Sequence, residues 1–295
     1  MNDEAARQRA ARAMVETDAL LGVPDVPLGR AVPGIVSDQP LDERQIENRP
    51  SVSTRSVPDA PRDLDISAGP VGRGDPAIPS SALEGDSPRS KLESLANLHA
   101  AKCEHCVTST THRNIVFGEG SPEATLMFIG EAPGEQEDRS GRPFVGPAGE
   151  KLDQMITALE YRREDVYITN VLKTRPPDNR TPRPDEAQAC GRWLASQIAI
   201  IRPKVLVALG GPAAQLLLGT ETGITRLRGS WGRYDVDGLE IPVMPTFHPA
   251  YVLRRYTTEV RGAVWSDLQL ARDLARGGKV NRHLIPGDDP RSNRE

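Results

Sequence analysis

Five short clusters in this 295-residue chain carry side chains suited to chemistry. Cys103 and Cys106 form a Cys-x-x-Cys pair, and Cys190 is the third and last cysteine. Three thiols cannot all pair. The opening Met-Asn-Asp-Glu lacks an apolar signal core, so the pair points to metal or redox chemistry before a structural disulfide. The other clusters are Gly130-Glu131-Ala132-Pro133-Gly134, Asn170, Gly210-Gly211 and Thr246-Phe247-His248-Pro249. They supply carboxylate, carboxamide and imidazole groups, which serve acid–base and hydrogen-bonding work.

The elements around these clusters put the last four in one place. Thr125–Ile129, Val166–Thr169, Val205–Leu209 and Ile241–Pro245 are short apolar runs bounded by turn residues, as buried strands are. Helical stretches lie between and after them, at about 147–160, 184–201, 211–219 and 259–275. Arg183-Pro184-Asp185-Glu186 opens the second with acids in the first turn, where the helix dipole favours them. This alternation predicts an α/β fold, a three-layer α/β/α sandwich around a central four-stranded parallel sheet. Each polar cluster follows a strand. Ligands bind outside the carboxyl ends of such strands, so four clusters on one edge describe one site. The first strand runs into GEAPG and not G-x-G-x-x-G, which argues against a small-molecule enzyme on a dinucleotide-binding sheet.

Composition divides the chain at residue 90. All 12 aromatic residues lie at Phe117 or beyond, all lysines lie at Lys91 or beyond, and residues 1–90 hold 11 of the 26 prolines. So little bulky apolar surface cannot offset the entropy of ordering, which predicts a long, mostly disordered N-terminal segment over 1–90. Within it, residues 3–22 read as a short helix with Ala6, Ala10, Met14 and Leu21 roughly on one face, and 23–90 read as linker. The folded domain is expected over 91–280, with a disordered tail at 281–295. The net charge of −4 divides into −5 for residues 1–90 and +1 for the rest, so total charge does not exclude a nucleic-acid partner. No 18-residue apolar run is present, so no membrane partner is expected and the chain reads as cytoplasmic.

Five motifs, in order and at matching spacing, carry a resemblance: GEAPGEQED (130–138), GRPFVGPAG (141–149), YITNVLK (167–173), RPPDNRTP (175–182) and FHPAYVLRR (247–255). Together they resemble the family-4 uracil-DNA glycosylases from about Leu92 to Ala275. The resemblance implies a base excision repair enzyme that flips uracil out of DNA and hydrolyses its N-glycosidic bond. Asn170 matches the family's base-reading Asn, and Phe144 the aromatic on which uracil stacks. His248 matches the His that stabilises negative charge at uracil O2. Glu131 and Glu137 match the acidic positions of the first motif. One would orient water and stabilise the sugar cation, and Glu137 would guard the C5 face against thymine's methyl; holding the Gly-Pro turn is the other reading for either. Ala132 stands where the best-known uracil glycosylase family carries a water-activating Asp, so catalysis leans on leaving-group stabilisation. Asn179 resembles a site-supporting Asn. Val252 or Leu253 would be the wedge entering the duplex, with Arg254 and Arg255 against phosphates.

The resemblance also implies a [4Fe–4S] cluster on four cysteines, and here the chain departs from its pattern. Cys103, Cys106 and Cys190 match three ligands; the fourth position is Thr174, whose hydroxyl is a poor iron ligand. Three outcomes stay open: a cluster with an open iron or with His105, His112 or water as fourth ligand; no metal; or zinc on three cysteines and a His. The expected partner is uracil-containing DNA, acted on by a monomer, with the tail's partner unassigned. The competing class is a non-catalytic DNA damage binder or scaffold. A related branch that links covalently to DNA carries a basic His-containing insertion near 140, which Asp138-Arg139-Ser140-Gly141-Arg142 lacks.

Overall fold

The computed structural model of the chain describes residues 71–108 and 112–278. The expected helix at 3–22, the linker up to residue 70 and the 281–295 tail lie outside these residues.

Seven strands form one sheet: β1 (Val71–Arg73), β2 (Glu119–Gly120), β3 (Leu126–Gly130), β4 (Tyr167–Asn170), β5 (Val205–Leu209), β6 (Gly232–Val236) and β7 (Leu239–Thr246). Their spatial order is β1-β6-β7-β5-β3-β4-β2. The central four, β7, β5, β3 and β4, are parallel and correspond to the four predicted strands. The sheet is nevertheless seven-stranded, which corrects the expected four. β6 pairs antiparallel with β7, β1 joins β6, and β2 caps β4 antiparallel. The added edge strands β1 and β2 are three and two residues long, too short to leave a periodic signal.

Both faces of the central strands are buried, and side chains divide between them with period two. Leu126 and Phe128 join Val205, Val207 and Leu209 on one face, under the helices Pro147–Ala158 and Thr258–Ala275. Met127, Ile129, Leu206 and Ala208 point the other way, under Pro184–Ile201 and Gly211–Leu218. This is the predicted three-layer sandwich. A third, smaller core gathers Ile78, Leu83, Leu95, Leu172 and Trp193 around the three cysteines.

That third core also moves the expected domain boundary. Val71–Arg73 is a strand, Ile78 and Leu83 are buried, and Ile78 N–H donates to Ser196 Oγ at 2.8 Å. Residues 71–90, on the N-terminal side of the expected start at 91, thus contribute a strand and buried side chains. The few apolar residues here lie between prolines and acids, so averaged composition hides them. Deleting residues 1–90 removes β1 and two side chains whose burial contributes about 1.5–3 kcal/mol each. We expect this truncation to lower the thermal midpoint by roughly 10 °C or more below that of a chain lacking only residues 1–70. Equal midpoints for the two truncations in a calorimetric scan would refute this boundary.

Candidate active site

A cavity of about 540 Å³ opens at the carboxyl edge of the central strands. Its walls include Glu131, Ala132, Glu137, Phe144, Asn170, Asn179, His248 and Arg254, so the strand-end clusters do converge. Each wall is held by a local device.

Asn170 ends β4 opposite Gly130 of β3. Its Oδ1 is buried and has no hydrogen-bond partner among the described residues. A Cβ on Gly130 would collide with Asn170 Oδ1 and the tip of the Phe144 ring, so the absent side chain makes room for both. Beneath Asn170 lies Lys173, whose Nζ donates to the Asn170 carbonyl at 2.7 Å, Thr169 Oγ1 at 2.7 Å and Gln197 Oε1 at 2.6 Å. Burial pushes this ammonium down to about 7. It fixes the strand end that carries the amide.

Phe144 has φ of 51°, a left-handed conformation rare for a bulky residue. Gly149 lets the following helix pack directly on the Phe144 carbonyl, where a Cβ would overlap it. Glu137 secures the same loop. Its Oε1 accepts from Val145 N–H at 2.8 Å and Gly146 N–H at 2.9 Å, and its Oε2 accepts from Gly134 N–H at 3.1 Å. Glu131 is different. It is half-buried on the cavity wall, accepts no hydrogen bond from the described residues, and burial pushes its carboxyl above the usual range.

His248 caps the Pro249–Arg254 helix, its Nδ1 accepting from Ala250 N–H at 3.1 Å. Burial first, then the charge of Arg254, lowers its pKa from 6.5 to about 4, against the pull of Glu137. The ring is therefore neutral at physiological pH, and the accepting Nδ1 leaves the proton on Nε2. Its centroid stands 5.6 Å from that of Phe144. Behind it, Asp267 accepts from Thr246 Oγ1 at 2.8 Å and from Arg228, which anchors the end of β7.

The 175–182 segment closes the remaining side. Asp178 and Asn179 both have left-handed φ, and Asn179 Oδ1 accepts from Arg175 Nε at 2.7 Å. Arg180, which sequence reasoning missed, lines the cavity while pairing with Glu186 through both guanidinium nitrogens, at 2.6 and 2.7 Å. Of the expected DNA-contacting residues, Arg254 lies on the cavity wall and Leu253 is 41% exposed. Val252 is only 2% exposed and packs in the main core. A six-residue helix turns one face inward, and Val252 is on that face.

The three cysteines are buried together away from the cavity. Cys103 hydrogen-bonds with Cys106 and Cys190, which pushes its own thiol down, while the same sharing pushes Cys106 up and Cys190 to about 11. His99, also missed, belongs to this group: one of its ring nitrogens and the Cys103 and Cys106 sulfurs lie within 4.8 Å of one another. Thr174 Oγ1 sits 3.8 Å from Cys106 Sγ and 3.3 Å from His105 Nε2. The cluster can hold a metal, but its donors do not fit a four-thiolate iron–sulfur cluster.

Comparison with known proteins agrees with this geometry. Residues 117–269 match the model of the uracil DNA glycosylase superfamily. A type-4 uracil-DNA glycosylase of Thermotoga maritima is 43% identical over 190 residues, covering 64% of this chain and 97% of that protein. One from Archaeoglobus fulgidus is 41% identical over 189 residues, 62% of this chain and 94% of the relative. A type-5 uracil-DNA glycosylase of Thermus thermophilus is 33% identical over 118 residues, 35% of this chain and 53% of the relative. With nearly the whole length of the type-4 enzymes matched, the chain belongs to the uracil DNA glycosylase superfamily, in its type-4 family.

Proposed function

We propose that the protein excises uracil from DNA, hydrolysing the N-glycosidic bond of a flipped-out deoxyuridine and leaving an abasic site. The observation that carries this reading is the unpartnered, buried Asn170 Oδ1 facing a cavity that also holds Phe144 and a neutral His248. A buried acceptor of this kind requires a donor, and uracil N3–H supplies one while Asn170 Nδ2 donates to O4. Cytosine presents the opposite pattern, an acceptor at N3 and a donor at N4, and is refused. Phe144 stacks the base. His248 Nε2–H donates to O2 and stabilises the negative charge that collects on uracil as the bond to the sugar breaks.

Glu131 is the carboxylate left free for water. We assign it the orientation of the attacking water at C1′ and the electrostatic support of the cationic sugar. Glu137 is a positioning residue, its lone pairs spent on the loop that presents Phe144. Leu253 enters the duplex beside the flipped base, with Arg254 against phosphate. No described helix is long and apolar enough to cross a membrane.

Incubation with uracil-containing DNA followed by alkali tests the activity: strand breaks at uracil are expected, and intact strands would leave only binding. The Glu131 assignment has its own test in the pH profile. A carboxylate raised by burial is lost to protonation at higher pH than an ordinary Glu, so activity falls on the acid side from that raised value. Glu131→Gln is expected to lower kcat by about 100-fold and to remove the acid limb. An unchanged limb in the variant would return the water to another group.

A further inference from the structure

We propose that His99, Cys103, Cys106 and Cys190 hold a single tetrahedral zinc ion, with His99 taking the place of the missing fourth thiolate. A mononuclear site with bonds of about 2.3 Å to sulfur and about 2.0 Å to nitrogen sets its ligand atoms roughly 3.5–3.8 Å apart. The cluster has that scale. His99 Nε2 lies 3.4 Å from Cys106 Sγ, and the His99, Cys103 and Cys106 donors are all within 4.8 Å of one another. Cys190 is buried in the same small core beside them and supplies the third thiol. A four-iron cluster needs its thiolates spread around a much larger core, one for each iron, and this chain has only three.

Among the described residues it is His99, and neither His105 nor His112, whose ring nitrogen groups with the Cys103 and Cys106 sulfurs. Thr174 offers a hydroxyl, already beside His105 Nε2. His99 is fully buried, edge-on to Trp193 with ring centroids 4.9 Å apart and 5.3 Å from Phe117, and its Nδ1 has no hydrogen-bond partner among the described residues. An imidazole buried with so few polar contacts is costly unless a metal takes one nitrogen. Its position also suits the role: Cys103 N–H donates to the His99 carbonyl at 2.9 Å, so the two ligands stand one helical turn apart. Thiolate and imidazole donors in a tetrahedral frame favour zinc among the common divalent metals. The ion would staple the Pro88–Lys102 and Glu104–Thr108 helices to Pro184–Ile201, beside the segment that follows Asn170.

The test uses the full chain purified anaerobically without added metal. We expect one zinc per chain, neither iron nor acid-labile sulfide, and no broad visible absorbance. X-ray absorption at the zinc edge of the wild-type protein should give three sulfurs and one nitrogen, with the outer-shell scattering of an imidazole. His99→Ala should raise the zinc Kd at least about 100-fold, His99→Cys should restore binding with four sulfurs, and His105→Ala should leave it unchanged. Iron with sulfide, metal-free well-folded protein, absent imidazole scattering, or zinc loss in His105→Ala with His99→Ala unaffected would each overturn the assignment. If His99→Ala fails to fold, the wild-type absorption data decide alone.

Discussion

Asn170→Ala lowers uracil excision by at least about 100-fold, the scale for losing one preorganised contact in a closed site. The direction follows from what the side chain does without substrate. Its Oδ1 is buried and unpartnered among the described residues, so removing it relieves the free protein of a polar group and takes away the group that reads N3–H. Stability should therefore hold or rise while activity collapses, a separation that a structural role for Asn170 would not produce. Thermal midpoint and single-turnover excision measured on the same preparation check it. Near wild-type turnover would refute the base-reading assignment. Asn170→Asp is expected to shift discrimination toward cytosine, whose N4 donates where uracil O4 accepts, with low turnover.

His248→Ala is expected to lower kcat by about 100- to 1000-fold, because the donor acts on charge that develops only as the glycosidic bond breaks. The same change removes the cap on the Pro249–Arg254 helix, worth about 0.5–2 kcal/mol. His248→Asn separates the two effects, since Asn caps a helix well: its midpoint should stay near wild type while excision still falls. The pH dependence adds a check. A group whose pKa lies near 4 is neutral from pH 5 upward, so wild-type activity should show no histidine limb near 6.5. A limb at that position, absent in His248→Asn, would mean that the imidazolium does the work.

The central sheet was legible because its strands are continuous apolar runs, each followed by turn residues, and buried on both faces. Strand-end placement then put Glu131, Asn170 and His248 on one edge before any distance was known. What escaped was tertiary. Glu137 looks like Glu131 in a motif, and only the folded loop shows three backbone N–H groups converging on its carboxylate. Val252 and Leu253 are neighbours of similar type, and the docking of a short helix decides which one faces out. His99 did carry a signal, four residues before Cys103 on a helix, whereas the expected histidine ligands were His105 inside the cysteine pair and His112 after it. β1 had none: three residues gain strand character solely from the β6 edge they join.

The interlocking of Gly130, Phe144 and Gly149 has a bearing on how such an enzyme can change over time. The aromatic wall is set when the chain folds, so an arriving base meets a surface with no ordering entropy left to lose. The same tightness closes routes of divergence. Any side chain at 149 would displace the Phe144 backbone, and any at 130 would displace both ring and amide. A lineage drifting toward other damaged bases would have to vary other cavity-lining positions, such as Ala132, and leave this trio alone. Fidelity for one base would then persist through backbone crowding, even where selection on the base-contacting residues themselves is relaxed.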